Sequence, residues 1–225
     1  METIIISLGG SLIVPEEIDI DFLKDFKKLI LSETAKNKKF FIITGGGKIC
    51  RKYQSAATEL SNPSSEDLDW IGIASLKLNA ELLRVIFGED AHGKVISDPS
   101  SQFSFDKPIV IGSAFGPGRS TDWDAVEGAK NLGAKKIINL SNTDYVYDSD
   151  PEINPNARKI EQISWEGYRA LIPSEWSPGL NSPFDPIASK IAEEEGMTVV
   201  MLNGKPVDNL AKYLKGENFL GTIIL

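Results

Sequence analysis

Short runs rich in Ile and Val, with no polar residue at alternate positions, are the feature that most constrains the fold of this chain. Strands buried on only one face alternate apolar and polar residues, whereas strands covered on both faces do not. The pattern therefore predicts a mainly parallel sheet covered on both sides. The predicted strands are Thr3–Leu8, Phe40–Thr44, Pro108–Gly112, Lys136–Leu140, Met197–Leu202 and Gly221–Leu225.

Segments with helical periodicity lie between these runs. In the segment Asp21–Leu31, Leu23, Phe26 and Ile30 fall on one stripe, with Asp19 or Asp21 as the N-cap. The other predicted helices are Leu68–Phe87 (with Ile71, Leu78, Leu82 and Val85 on one face), Ala125–Leu132 and Pro186–Glu195, the last two followed by the C-terminal glycines Gly133 and Gly196. Strands alternating with helices predict an α/β fold, a three-layer α/β/α sandwich around the sheet.

Charge and composition limit the classes of function. The chain has 32 acidic and 24 basic residues and a net charge of −8, without a basic run, so we expect no nucleic-acid partner. One cysteine suits a reducing cytoplasm, and one histidine excludes a histidine-based metal centre, so we predict no protein-held metal. No signal-peptide pattern or membrane-length apolar stretch is present, which predicts a cytoplasmic protein with no membrane partner.

Two glycine turns follow the first two predicted strands. Gly9-Gly10-Ser11 and Gly45-Gly46-Gly47 allow close approach of the backbone to a ligand, and their amides form an anion-binding concavity. Lys48 and Arg51 lie on the first turns of the helix that follows, whose N-terminus favours phosphate. The spacing is neither that of a P-loop nor that of a Rossmann fingerprint. Ordinary strand-to-helix turns remain the alternative.

Polar turns follow two further strands. The segment Gly112–Asp122 contains glycines, hydroxyls and Arg119, which suits a pocket that binds a phosphate, although Asp122 alone also fits an N-cap. The segment Asn139–Pro151 places tyrosines between carboxylates, which also suits simple turn chemistry. Because ligands of open α/β sheets bind outside the carboxyl ends of the strands, the four turns together predict one extended cleft.

These motifs, in this order, resemble the amino acid kinase family, and within it the archaeal type of UMP kinase. The resemblance covers nearly the whole chain. The matching segments are Gly9–Ser11, Val14–Glu16, Asp19–Phe22, Gly45–Lys48 with Arg51–Tyr53, Asp69–Ile73 with Asn79-Ala80, Pro117–Asp122, Ser141–Pro151, Phe184–Ile191 and Gly221-Thr222. It implies one amino acid kinase domain, residues 1–225, with an acceptor-binding half of about 1–132 and a nucleotide-binding half of about 133–225.

The resemblance implies transfer of a phosphoryl group from ATP, with Mg²⁺ as cofactor, to UMP in pyrimidine nucleotide biosynthesis. The ATP-binding positions would be Ser7, Leu8, Gly9, Gly10, Ser11, Gly47, Arg51, Ser141, Asn142, Tyr147 and Asp150. The UMP-binding positions would be Gly46, Asp69, Phe115, Gly116, Pro117, Gly118, Arg119, Ser120 and Thr121. Catalysis would fall to Gly10, Gly46, Lys48, Arg51 and Asp122, with Asp122 orienting cationic groups rather than acting as a base.

Ser7 departs from the family pattern, because many relatives have a lysine there. The positive charge would then come from Mg²⁺, Lys48, Arg51 or Arg119. Two alternatives remain open: a sister enzyme such as an isopentenyl phosphate kinase, and a nucleotide-binding sensor or storage subunit without catalysis. The resemblance also implies a homo-oligomer, a hexamer built as a trimer of dimers, and feedback inhibition by UTP.

Overall fold

The computed structural model of the protein describes residues 2–151, 153–175 and 182–225. The strands are β1 (Glu2–Leu8), β2 (Lys38–Thr44), β3 (Ile109–Gly112), β4 (Lys136–Ser141), β5 (Val146–Tyr147), β6 (Lys159–Ile160), β7 (Gln162–Ile163), β8 (Thr198–Asn203) and β9 (Thr222–Ile224). The helices are α1 (Gly10–Ile13), α2 (Ile20–Thr34), α3 (Gly47–Leu60), α4 (Ser65–Phe87), α5 (Thr121–Asn131), α6 (Trp165–Arg169), α7 (Pro186–Glu194) and α8 (Val207–Lys215).

The central sheet has seven strands in the order β3-β2-β1-β4-β8-β9-β7. Neighbouring strands from β3 to β8 run parallel, and β9 is antiparallel to β8. The chain first builds the sheet outward from β1 through β2 to β3, and then returns to add β4 on the other side of β1. The carboxyl ends of β1 and β4 therefore form the topological switch point, where open α/β sheets bind ligands.

Both faces of the sheet are covered, which explains the non-alternating strand sequences. In β1, Ile4 and Ile6 belong to the core formed with α2, α4 and α8, whereas Ile5 belongs to the core formed with α5, α6 and α7. Phe40 and Phe41 of β2 divide between the same two cores. The predicted three-layer α/β/α sandwich with a mainly parallel sheet is confirmed.

The predicted strands and helices are all present, with small shifts of their ends. Asp19 is the N-cap of α2, where its side chain accepts a hydrogen bond from the Phe22 amide at 2.9 Å. Gly133 and Gly196 follow their helices with positive φ angles of 66° and 60°, as C-terminal glycines do. Helices α1, α6 and α8 and the small strands β5, β6 and β7 were not predicted, because their apolar patterns are too short to stand out.

The apolar stripe predicted on α4 was wrong as a core face. Leu78 and Val85 are each 64% exposed, whereas Ile73, Ala80 and Leu83 are buried. The helix has apolar residues on two sides, so periodicity alone did not decide which side packs inward.

The two predicted halves share one sheet, because Ile5–Leu8 of β1 pairs with Ile137–Leu140 of β4. Their assignment to acceptor and nucleotide stays a prediction. The Ser/Pro-rich stretch Pro173–Pro183 is long enough to predict a functional loop from its sequence, and part of that stretch lies outside the described residues. Among the described residues, no helix combines the length and apolar character that a membrane span requires.

Candidate functional site

The two glycine turns interlock at the switch point. The Gly9 amide donates to the Leu140 carbonyl at 2.7 Å, and the Gly45 amide donates to the Leu8 carbonyl at 2.8 Å. A Cβ on Gly10 would lie 2.2 Å from the Gly47 amide nitrogen, so only glycine fits between the two turns. Gly47 has a φ of +67°, which also favours glycine. The predicted phosphate-binding turns are thus one backbone unit.

Helix α4 holds the second glycine turn through hydrogen bonds to the carbonyl groups of that turn. The Asn79 side-chain amide donates to the Gly45 carbonyl at 2.8 Å and approaches the Gly46 carbonyl at 3.4 Å. The Thr44 hydroxyl donates to the Leu76 carbonyl at 3.0 Å. These contacts hold the second turn in place at the N-terminus of α3, an end of a helix that favours an anion.

A first cavity, of about 400 Å³, opens beside the turns. Its lining includes Ser11, Lys48, Arg51 and Lys205, and we call it the cationic cavity. Lys48 forms an ion pair with Glu16, and Lys52 lies 3.4 Å from the other oxygen of the same carboxylate. A positively charged cavity at the N-terminus of α3 suits a polyphosphate.

A larger cavity, of about 640 Å³, lies between the second glycine turn, α4 and the segment after β3. Asp69 of α4 lines it and accepts a hydrogen bond from the Gly118 amide at 2.8 Å. The two cavities share Ser11, Arg51 and Asn142, so they form adjoining parts of one cleft. The sequence-predicted residues that line the larger cavity are Ser11, Gly46, Gly47, Arg51, Asp69, Gly116, Arg119, Ser120, Thr121 and Asn142.

Two aromatic rings hold the Arg119 side chain. Its guanidinium carbon lies 4.1 Å from the centre of the Trp123 ring and 5.4 Å from the centre of the Phe115 ring. Cation–π contacts of this kind restrict the guanidinium without neutralising its charge. The arginine is therefore presented at the larger cavity as a restrained cation.

Asp122 is joined to three neighbouring elements and is not an N-cap. Ser120 caps α5, because its hydroxyl accepts from the Trp123 amide at 3.1 Å. The Asp122 carboxylate accepts from the Ser7 hydroxyl at 3.2 Å, the Asn139 amide at 2.9 Å and the Asp185 backbone amide at 3.1 Å. It thereby links the ends of β1 and β4 to the starts of α5 and α7.

Withdrawal from water raises the pKa of Asp122 to about 7, and the neighbouring Asp185 carboxylate adds to the rise. The hydrogen bonds from Asp185, Ser7 and Asn139 oppose it. The Asp185 carboxyl, which caps α7, also has a raised pKa because of burial. A group that titrates near neutrality within a fixed hydrogen-bond network suits a functional site.

Asp124, two residues after Asp122 on α5, is fully buried. Its carboxyl oxygens meet the full geometry of a hydrogen bond with no donor among residues 2–151, 153–175 and 182–225, although the Phe115 backbone amide is near enough to favour the ionised form. Burial raises the pKa of Asp124 to about 8, although the charge of Arg119 favours the ionised form. Asp122, Asp124 and Asp185 together are called the carboxylate cluster below.

The remaining residues predicted to bind ATP follow β4 at the same edge of the sheet. The Ser141 hydroxyl accepts from the Thr143 amide at 3.1 Å. Tyr147 lies on β5, with its ring centre 6.4 Å from the ring centre of Tyr145, and the Asp150 carbonyl accepts from the Asn154 amide at 2.7 Å. Of the C-terminal predicted positions, Asn142 is the one that lines both cavities, and Tyr147 and Asp150 belong to the β5–β6 hairpin region.

Lys205 and Asn203 line the cationic cavity and were not predicted from the sequence. Asn203 is the last residue of β8, and Lys205 lies in the short turn that follows it, at the same edge of the sheet as the four predicted turns. The turn composition after a fifth buried strand was the available signal. Asn139 and Asp185, the partners of Asp122, gave no local signal because their role depends on tertiary contacts.

The described residues contain no group of three or more His, Cys, Asp or Glu side chains arranged to hold a metal ion. Mg²⁺ commonly binds through substrate phosphates with one or two carboxylates and keeps several waters. The residues present therefore suit an ion that arrives with a polyphosphate better than a permanent metal centre.

Comparison with known proteins gives a consistent family. The model of the amino acid kinase family matches residues 2–203. A uridylate kinase of Thermococcus onnurineus is 32% identical over 224 residues, which cover 98% of each chain. The crystal structure of uridylate kinase from Archaeoglobus fulgidus superposes with a TM-score of 0.83 at 32% identity over 100% of both chains. UMP kinase from Ureaplasma parvum, at 23% identity and a TM-score of 0.78, shares the fold.

Proposed function

The chain belongs to the amino acid kinase family, and we propose that it is a UMP kinase that transfers the γ-phosphoryl group of ATP to UMP, giving UDP and ADP. Relatives named as uridylate kinases match it over almost their full length, so the comparison concerns the whole catalytic unit and not a shared fragment.

The observation that carries the proposal is the pair of adjoining cavities at the interlocked glycine turns. A phosphoryl transferase must hold two anionic substrates end to end, with the transferred group between them. The cationic cavity and the larger cavity meet at Ser11, Arg51 and Asn142, beside Gly46 and Gly47. We assign ATP phosphates to the first cavity and UMP to the second.

The phosphate of UMP is already an anionic nucleophile, so the enzyme needs alignment and charge neutralisation rather than a strong base. In this proposal the amides of the glycine turns follow the phosphoryl group, and Arg51, which lines both cavities, offsets the charge that develops between the substrates. Arg119 binds the acceptor phosphate, and Asp69, at the wall of the larger cavity, binds ribose hydroxyls.

Asp122 acts as a positioning residue in this mechanism. It accepts hydrogen bonds from Ser7, Asn139 and Asp185, and so fixes the ends of β1 and β4, from which the first glycine turn and the Asn142 turn leave the sheet. Mg²⁺, bound with ATP, offsets the charge of the donor phosphates when present.

A coupled assay with ATP, Mg²⁺ and a panel of acceptors tests the function. UMP, CMP, dUMP and isopentenyl phosphate should be compared at equal concentration, and UMP is expected to give the highest kcat/KM. A preference for isopentenyl phosphate would identify a sister kinase and overturn the substrate assignment. ATP binding without turnover of any acceptor would identify a nucleotide-binding sensor or storage subunit.

We also propose that the chain forms a homo-oligomer, with a hexamer as the expected assembly. Helix α3 packs against α4 yet has no buried residue in the isolated chain. Large apolar side chains are left exposed on this helix pair: Tyr53, Leu60, Trp70, Leu78 and Val85. Exposed apolar side chains in this number are typical of a surface that another protein covers.

Sedimentation velocity of the wild-type chain and of a Leu78→Lys variant tests the assembly, since Leu78 is 64% exposed. The variant should dissociate, and a wild-type monomer would contradict the proposal. UTP is proposed as a feedback inhibitor that occupies the UMP site, which predicts inhibition competitive with UMP.

A further inference from the structure

Lys205 brings a cation to the cleft from an element that the mechanism above does not use. It lies in the turn between β8 and α8, and it lines the cationic cavity together with Lys48 and Arg51 from the start of α3. In a chain with a net charge of −8, three cations from two distant segments share one cavity of about 400 Å³.

Both lysines of this cavity have carboxylate partners from one short segment. Glu16 pairs with Lys48 and Asp19 pairs with Lys205, and both acids lie in the connection between α1 and α2. The lysine side chains are each 42% exposed, so water and solutes reach both ion pairs. Exposed ion pairs of this kind contribute little to stability and exchange partners readily.

Asp19 uses its two oxygens for different purposes. Oδ1 accepts from the Phe22 amide at 2.9 Å and caps α2, whereas Oδ2 contacts the Lys205 ammonium group. Loss of the Lys205 contact therefore leaves the cap of α2 intact. The Lys205 ammonium also lies 5.7 Å from the centre of the Phe22 ring, a cation–π contact separate from the ion pair.

We propose that Lys205 is a phosphate-binding residue of the donor site, and that Glu16 and Asp19 are counterions which the donor polyphosphate displaces from Lys48 and Lys205. The inference rests on the proposed function in taking ATP as the donor. A triphosphate brings more charge and more acceptor oxygens than a single carboxylate, and contacts between ammonium groups and phosphates are charge-assisted hydrogen bonds.

The proposal predicts opposite effects for the two partners of one ion pair. Lys205→Ala removes a phosphate contact, so the Kd for ATP and for inorganic tripolyphosphate should rise about tenfold, whereas the Kd for AMP should stay within about twofold. Asp19→Asn removes the competing anion and keeps an N-cap residue, so the Kd for ATP should fall by about twofold to threefold. Isothermal titration calorimetry at fixed ionic strength measures both.

A purely structural role for the pair would make both variants weaken ATP binding to the same degree, and that result would overturn the proposal. An equal loss of affinity for AMP and ATP after Lys205→Ala would overturn it as well. Lys205→Arg should bind ATP within about threefold of the wild type, because it keeps the charge. Lys212→Ala, which removes the same charge from an exposed position on α8, is the matched control and should bind ATP normally.

The binding measurements need no acceptor, so they separate this inference from the proposed function. Weaker ATP binding by Lys205→Ala in a protein that does not phosphorylate UMP would support the inference and overturn the UMP kinase assignment. Normal ATP binding by Lys205→Ala in a protein that phosphorylates UMP would overturn the inference and support the UMP kinase assignment.

Discussion

The cationic cavity and the carboxylate cluster lie at the same edge of the sheet, but they hold their charges in opposite ways. Lys48 and Lys205 are exposed and paired with carboxylates that water also reaches. Asp124 is fully buried and Asp122 is half-buried, and burial raises the pKa of Asp122 to about 7 and that of Asp124 to about 8. Exposed pairs can exchange partners when a ligand arrives, whereas buried groups fix the geometry and respond to pH.

A substitution at the contact between the two glycine turns should have the largest effect, because the cationic cavity and the carboxylate cluster both depend on this contact. Gly10→Ala places a Cβ 2.2 Å from the Gly47 nitrogen, and we expect a loss of about 3 kcal/mol in unfolding free energy together with the loss of measurable UMP phosphorylation. Urea denaturation and the coupled assay measure the two effects. Gly93→Ala, whose Cβ would meet nothing within 4 Å, is the matched control; equal stability of the two variants would contradict the interlocked geometry.

Asp122→Asn should have the next largest effect, on turnover rather than on folding. The carboxylate of Asp122 accepts from three donors, on Ser7, Asn139 and Asp185. The side chain of asparagine has one N–H₂ group in place of an oxygen, and because this group is itself a donor, at least one of the three hydrogen bonds is lost. A small shift of the strand ends then lowers kcat by about 100-fold. Asp208→Asn, at an exposed position of α8, should keep wild-type turnover. Unchanged kcat in Asp122→Asn would exclude the positioning role.

Asp124→Asn tests the response of the carboxylate cluster to pH. An unfolded aspartic acid loses its proton near pH 4, whereas folded Asp124 keeps it until about pH 8, so the folded state binds more protons in this window. Wild-type stability should therefore fall as the pH rises between these values. Relative to the wild type, Asp124→Asn should gain about 2 kcal/mol between pH 5 and pH 7.

Urea denaturation of both proteins at several pH values measures this difference, and the titration of Asp122, common to both proteins, largely cancels in it. Parallel stability curves for the wild type and Asp124→Asn would show that Asp124 does not carry the proton.

The smallest effect should come from the exposed Glu16–Lys48 ion pair. Glu16→Gln removes the carboxylate beside Lys48, and because Glu16 is 63% exposed, the unfolding free energy should change by less than about 0.5 kcal/mol. Thermal denaturation at low and high salt measures this change. A loss comparable with that of Gly10→Ala would remove the contrast between the two regions.

The parts of the site that were predictable are those whose signal is local. The glycine turns, the cations at the start of α3 and the polar turn containing Arg119 each follow a recognisable strand, and the carboxyl ends of parallel strands meet at one edge. Asn139 and Asp185 gave no such signal, because their contacts with Asp122 join residues far apart in the chain. The turn after β8 was a local signal for Lys205, but its pairing with Asp19 also joins distant residues. The Lys205–Asp19 pair spans 186 positions, and the Ser7–Asp122 pair spans 115.

The sequence by itself determined the layered α/β architecture, the edge of the sheet that carries the cleft and the glycine positions, because periodicity and backbone freedom act within a few residues. Only the tertiary structure decided which side of α4 faces the core, which carboxylates are removed from water, and which lysines face one cavity. Burial and charge pairing depend on the three-dimensional neighbours of each side chain. Asp122 therefore accepts hydrogen bonds from distant residues such as Ser7, and Ser120 caps α5, although the sequence position of Asp122 suited a helix cap equally well.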